Sequence, residues 1–287
     1  MSAIGNRYDF VFLYDVKDGN PNGDPDQANL PRSDAENQDG LVTDVCIKRK
    51  VRNYVMLKKN KASPESAYTP ETGFDIFIRQ GSVLNNMIDT AKGENPVQRQ
   101  KTLASQYYDI RTFGAVLTTG EKGAGTVRGP VQFTFSRSED RIFQAEHSIT
   151  RCTVTTNEEA KAQEKRENAS TFGRKATVPY ALYRMHGFVS AVDAIKTGFS
   201  EDDLELLWEA LLNAFEHDRS AARGEMNPRK LIVFKHDSHL GNARSGQLFD
   251  LVKIKKNVEL PRAWEDYMIE PIDKSSLPKG VTLIEKL

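Results

Sequence analysis

Apolar side chains are nearly continuous over residues 8–16 (YDFVFLYDV), a run rich in β-branched and aromatic residues that predicts a strand covered on both faces, in the middle of a sheet. The stretch that follows, DGNPNGDPDQANLPR, carries Asn-Pro, Asn-Gly and Asp-Pro steps, so no regular structure is expected over residues 18–32. Residues 17–42 therefore read as a long loop, and loops of that length inside a compact domain tend to be functional or disordered. A helix is predicted next, from a cap at Thr43 or Asp44 to about residue 59. At about 100° per residue, Ile47, Val51, Tyr54 and Val55 share one arc, and Lys48, Arg49, Arg52 and Lys59 share the arc beside it. The apolar arc is expected on the sheet, and the cationic arc along its edge, next to the loop.

Residues 62–128 read as an insertion containing a short strand (GFDIFIR) and helices near 83–91 and 97–108. A mobile loop or tight turn is expected around Gly120, Gly123, Gly125 and Gly129. These glycines are not a phosphate cradle of the nucleotide-hydrolysing kind, because Gly125 is followed by Thr126 and Val127 and not by the required Lys and Ser/Thr. Residues 130–137 alternate, with Val131, Phe133 and Phe135 on one face and Gln132, Thr134 and Ser136 on the other, which predicts a strand with one uncovered side. Residues 157–177 are highly charged and aperiodic and read as a protruding segment before a strand at 178–192. Ser200 and Asp203 begin a second helix in the manner of a capping box, and Leu204, Leu207, Trp208, Leu211, Leu212 and Phe215 share its apolar face. Residues 229–235 give a fourth strand, and 248–255 are expected to add an edge strand. The order strand, helix, strand, strand, helix, strand predicts an α+β chain, a single domain with a ferredoxin-like, RNA-recognition-motif-like βαββαβ core and large insertions. Such a four-stranded antiparallel sheet carries both helices on one face and leaves the other free to bind, although Gln132, Thr134 and Ser136 offer none of the usual stacking aromatics.

Composition first argues against a polyanion partner: the 287 residues hold 40 Lys+Arg against 40 Asp+Glu. The sum hides segregation. Residues 1–45 carry nine acids and three bases, a net of −6, whereas residues 46–61 carry seven bases and no acid. Residues 200–218 are acidic again, and 219–236 are basic through Arg219, Arg223, Arg229, Lys230 and Lys235. Alternating blocks of this kind suit a solvated face, a polyanion or head-to-tail self-association. The longest apolar run near the start, residues 10–14, is too short for a signal peptide or membrane span, so the chain reads as cytoplasmic. Cys46 and Cys152 form neither a C-x-x-C motif nor a disulfide framework and read as buried structural thiols.

Several stretches go beyond pattern: YDFVFLYDVKDGNPNGDPD, NLPR, GLVTDVCIKRKVRNYV, DIRTFGAVL, GPVQFTF, GRKATVPYALYRMHGFVSA and LLWEALLNAFEHDRSAARGEM. Together, over about residues 8–235, they resemble the crRNA-binding backbone subunit of the type I CRISPR interference complex, Cascade, and most closely its type I-C (Dvulg) branch. The resemblance implies a hand-shaped subunit with palm, fingers (here 62–128) and thumb (here 157–177), polymerising head to tail along a guide crRNA. It implies antiviral defence by a scaffold without catalytic residues, metal or cofactor, in which base pairing reads target DNA through the crRNA. The implied partners are crRNA, further copies of the chain, the subunit that binds the crRNA 5′ handle, and the large and small Cascade subunits. In related subunits the first loop and the first turns of the next helix hold guide phosphates, which points here to Asn20, Asn22, Arg32, Thr43, Lys48, Arg49 and Arg52. Lys48 and Arg52, four apart, would present cations on consecutive turns; a solvated lysine-rich face is the alternative. Arg111 and Phe113 are candidates for a phosphate contact and a wedge or stacking group, with core packing the alternative for Phe113. Arg128, Arg174 and Lys175 are further RNA-binding candidates.

The rival readings are an RNA endonuclease cutting target or precursor guide RNA, a metal site and a nucleic-acid-free self-associating protein. Asp18, Asp24 and Asp26 stand in the first loop, where related type III subunits use an acidic residue to cut RNA, but a carboxylate in a Pro/Gly loop is more often a turn former. His236 and His239 lack a companion pair of ligands at suitable spacing. A protein with no nucleic-acid partner would explain the charge blocks but not the basic helix face.

Overall fold

The computed structural model describes residues 2–62, 67–151, 153–154, 156–164 and 171–287. Cys152 and residues 165–170 of the expected thumb lie outside the described residues. The largest sheet comprises β1 (Tyr8–Gly19), β2 (Asp39–Val42), β3 (Val131–Phe133), β4 (Ser136–Arg141), β5 (Ala145–Arg151), β6 (Thr171–Val189), β7 (Glu225–His236) and β8 (Val281–Glu285). Its order is β8-β7-β1-β6-β4-β2, with β3 and β5 also paired to β6, and every pairing is antiparallel. Four helices matter for the site: α1 (Asp44–Lys58), α2 (Pro96–Gln106), α3 (Tyr108–Phe113) and α4 (Glu201–Leu212).

β1 is central because both its faces are apolar, and both are covered. Phe10, Phe12 and Tyr14 pack with Ile47, Val51 and Val55 of α1 and with Leu204, Leu207, Trp208 and Leu211 of α4. The Trp208 indole meets the Phe10 ring edge-on, their centroids 5.0 Å apart. Ser200 and Asp203 complete a reciprocal capping box at the start of α4, as the sequence predicts.

The opposite face is not free, which corrects the expectation of an open binding surface. Val11 and Leu13 of β1 are buried with Leu248, Phe249, Val252 and Tyr267 from the C-terminal segment. Arg184 of β6 holds that layer, donating to the carbonyls of Val252 (3.0 Å) and Phe249 (2.6 Å) and to His186 Nε2 (2.9 Å), while the His186 ring stacks on Phe249 at 4.1 Å. Residues 248–255 are accordingly no edge strand. They run through a helical turn (Ser245–Phe249) into a small hairpin of Ile254–Lys256 with Tyr267–Ile269, and β8 forms the edge instead.

Two further expectations change for local reasons. The alternation over residues 130–137 breaks where the register against β6 slips by one: Phe133 faces Gly187, yet Arg137 faces Arg184. The slip turns Phe135 outward and buries Ser136 and Ser138, reversing the phase of the strand. GFDIFIR forms no strand, because the amides of Phe77 and Ile78 donate to the Asp109 carboxylate at 2.8 and 3.0 Å, a side chain standing in for a neighbouring strand. The insertion does hold helices near the expected places, Leu84–Ile88 and α2, and its glycine-rich segment closes a hairpin of Gly114–Leu117 with Gly125–Arg128. The ribbon in the thumb region starts earlier than expected: residues 145–151 pair with 171–177, past the end of β1, and a helix spans Asn157–Glu164.

Candidate nucleic-acid interface

The first loop is ordered by its own polar groups. Residues 18–32, expected to lack regular structure, contain a two-residue ladder of Gly23–Asp24 with Leu30–Pro31 and a 3-10 turn at Pro25–Gln27. Asp18, Ala28, Asn29 and Gln38 sit at φ between 49 and 64°, a concentration of left-handed non-glycine residues in one segment. Asp24 caps the turn and lies 3.6 Å from Arg32, the turn-forming behaviour expected of an aspartate in such a loop.

This loop meets the start of α1 through Asn22, whose Oδ1 accepts from both the amide and the hydroxyl of Thr43 at 3.0 Å. Thr43 is the N-cap residue of α1 by position, but its hydroxyl is turned to Asn22 and makes no bond within the helix. Arg32 donates its amide to the Asn22 carbonyl, and Asn20 donates its side-chain amide to the Asn29 carbonyl at 2.7 Å. Four of the expected residues, Asn20, Asn22, Arg32 and Thr43, thus share one corner at the C-terminal end of β1. Asn20 Oδ1 and Arg32 Nε are buried there without a hydrogen-bond partner among the described residues.

The cations of α1 divide in a way that helical arcs do not reveal. Lys48 donates to Asp44 at 2.8 Å, and Arg52 to the buried carboxylate of Asp109 at 2.8 Å. Both cations lie over the Phe113 ring, 5.6 and 5.4 Å from its centroid. Lys58 pairs with Glu209 and Lys59 with Glu71. Lys50, a member of neither arc, is 2% exposed and paired with Asp218. Burial pushes its ammonium below the usual lysine range, with Asp218 pulling the other way. Arg49 is exposed and donates to Gln80 at 3.5 Å, and among the described residues Arg49 and Lys61 are the cations of this block with no carboxylate partner. The basic block is therefore largely neutralised in three dimensions, and Arg49 is the cation of α1 that this corner presents to solvent.

The DIRTFG residues lie inside the molecule. Arg111 donates twice to Asp203 at 2.8 Å and also to the carbonyls of Ala104 and Gly73, so its donors are engaged by protein and are not open to a phosphate. Phe113 is buried against Phe133, with ring centroids 5.5 Å apart, which is core packing and not an exposed wedge. Arg128 and Arg174 are exposed, with carboxylates of Asp193 and Glu146 at 3.4 and 4.0 Å, and half-buried Lys175 lies opposite His147 on the ribbon. These three are on other elements than the first-loop corner. His236 is fully buried: Nδ1 accepts from the Asn242 amide, leaving Nε2–H to donate to Asp9 at 2.9 Å.

One contributor was not among the expected site residues. The loop before β7 abuts the corner, with the Asn20 amide donating to the Ala222 carbonyl at 2.8 Å. From it Arg223 reaches Asp218 at 2.7 Å. In the sequence it is marked by the basic block over 219–236 and by the family-like stretch that ends at Met226.

A search of solved structures finds chains of a "CRISPR RNA-guided surveillance complex" (14% identity, TM-score 0.44, covering 79% of this chain and 68% of that one) and of a "CRISPR RNA-guided surveillance complex, pre-nicking" (13%, 0.47, 79% and 78%). The "CRISPR-associated protein Cas7" of Haloferax volcanii is 24% identical over 280 residues, covering 87% of this chain and 75% of the relative. The family model "CRISPR-associated protein Cas7" matches residues 6–271, nearly the whole chain, and the protein belongs to that family.

Proposed function

We propose that the chain is the crRNA-binding backbone subunit of a type I-C interference complex, a scaffold that repeats along one guide RNA and catalyses no reaction. The observation that carries this reading is the corner at the end of β1, where Asn20, Asn22, Arg32 and Thr43 converge at the start of α1, the helix that carries exposed Arg49. The bonds of Asn20 to Asn29 and of Thr43 to Asn22 fix the loop against α1, and exposed Arg49 supplies open donors of the kind that grip a phosphate backbone, contacts that carry no base sequence. Membership of the family supports the same reading.

The sheet order supports a ferredoxin-like core. Taking β1, the β3/β4 pair, β6 and β7 as the four core strands, the order is fourth, first, third, second, with α1 and α4 against one face. On this reading residues 67–128, with a hydrophobic cluster of their own, are the fingers, and the ribbon of residues 145–151 and 171–177, bearing Arg174 and Lys175, is the base of the thumb. The complex is proposed to work in the cytoplasm, with copies of this chain, the handle-binding subunit and the large and small subunits as partners, meeting target DNA through the crRNA. No helix among the described residues is long and apolar enough to cross a membrane.

Co-expression with repeat–spacer RNAs of several spacer lengths tests the proposal. The particle is expected to grow in steps as the spacer lengthens, and a particle indifferent to spacer length overturns it. Incubating the purified chain with precursor guide RNA and with target RNA, with and without magnesium, tests the scaffold claim; defined cleavage products would replace it with the endonuclease reading.

A further inference from the structure

Lys50 is an expensive residue where it stands. It occupies the buried side of α1 between Ile47 and Val51, where burying an ammonium costs several kcal/mol before pairing and a methionine would fill similar space. Its carboxylate partner, Asp218, is itself 12% exposed and also receives Arg223 Nη1, which donates to the Asp218 carbonyl as well, at 2.9 Å. One carboxylate therefore serves two cations. Among the described residues Arg223 is held by one nitrogen, Nη1; its side chain is 36% exposed, and its other nitrogens donate no hydrogen bond there.

The position of this cluster is fixed against the first-loop corner. The backbones of residues 17–19 and 222–224 pass so closely that a Cβ on Gly19 would collide with the Arg223 carbonyl, and one on Gly224 (φ 60°) would lie 2.5 Å from the carbonyls of Lys17 and Asp18. Cys46, whose Sγ touches the Pro21 carbonyl at 3.6 Å, sits between the loop and the cluster. Burial raises its thiol pKa while Lys50, Arg223 and Arg49 pull it down, so all three cations act on one point. Together Lys50, Arg49 and Arg223 against Asp218 leave an excess of two positive charges beside Asn20, Asn22 and Thr43.

We infer that Arg223 is a phosphate ligand of the bound RNA and that Lys50, acting through Asp218, is the positioning residue that keeps its guanidinium turned outward. Neutralising Asp218 from inside the core is what frees the outer cation for a second anion. The inference rests on the reading of this corner as an RNA interface, and the test separates the two.

The experiment follows the binding of a fluorescein-labelled, unstructured single-stranded RNA of guide length to the full chain by anisotropy across a salt titration. Arg223→Gln is expected to weaken binding about tenfold at moderate salt and to lower the slope of log K against log salt by about 0.7 per bound subunit, the loss of one single-strand phosphate contact. Arg223→Lys should restore the slope, and Lys58→Gln, on the far end of α1, should leave it unchanged. Lys50→Met should lower the slope as Arg223→Gln does, and the double variant should be no weaker than Arg223→Gln alone, since both remove the same contact. An unchanged slope in Arg223→Gln, with wild type binding normally, overturns the phosphate assignment. Losses that multiply in the double variant overturn the positioning role. Wild type that binds no RNA at all overturns the RNA reading and the inference with it. Should Lys50→Met not fold, Arg223→Gln and Arg223→Lys still decide the ligand.

Discussion

The insertion over residues 67–128 and the corner at the end of β1 use the same chemistry in opposite ways. In the insertion, arginine is structural: Arg111 binds Asp203 and two backbone carbonyls, and Asp109 binds Arg52 together with the amides of Phe77 and Ile78. At the corner, Arg49 is exposed with no carboxylate partner among the described residues, and Arg223 keeps donors open while Asp218 behind it is also occupied by Lys50 from the inside. The lesson is that an arginine's role follows from whether a buried carboxylate faces it, and that partner comes from a distant part of the chain.

Four variants sharpen this contrast. Arg111→Met should have the largest effect, removing roughly 5 kcal/mol of stability because Asp203 is left buried and unpaired; a denaturant melt checks it, and a loss below 1 kcal/mol would show the pair to be dispensable. Arg52→Glu should cost roughly 3 kcal/mol or more by placing a second carboxylate beside Asp109. Its loss of RNA binding would then be a folding effect, which circular dichroism of the same sample reveals.

A pH effect comes next. Burial, with Arg184 beside it, depresses the His186 pKa from 6.5 to about 4, so the folded chain holds this ring neutral while the unfolded chain protonates it. The contribution is complete above pH 6.5 and is lost as pH falls toward about 4. Denaturant midpoints should therefore rise with pH across that window, and His186→Gln, whose carbonyl can still accept from Arg184, should flatten the rise. An equal slope in the variant would remove His186 from the account. The smallest stability effect belongs to Arg49→Gln, within about 0.5 kcal/mol, yet its salt slope for RNA should fall by about 0.7. A stability loss as large as that of Arg52→Glu would erase the difference between the two regions.

Much of the fold was legible because it depends on local pattern. The continuous apolar run of β1 and the amphipathic face of α4 with its Ser200–Asp203 cap follow from side-chain period and capping chemistry, as do the strands within 178–192 and 229–235. The covered second face was half legible: a strand apolar on both sides demanded a second layer, but nothing local showed that residues near 248 and 267 would supply it. The slip at Phe135 escaped because a bulge reverses alternation without changing composition. At the site, the loop residues Asn20, Asn22, Arg32 and Thr43 converge as expected, whereas Arg111 and Phe113 turn inward.

The sequence by itself determined the family, the strands over residues 8–16 and 229–235, the helices α1 and α4, and the neighbourhood of the first loop and α1, since each is written in contiguous residues. Only the tertiary structure decided which cations are open. Lys50 and Asp218 are paired across 168 positions, and Arg111 and Asp203 across 92. Charge cancels through space, and a carboxylate that neutralises an arginine need not be anywhere near it along the chain.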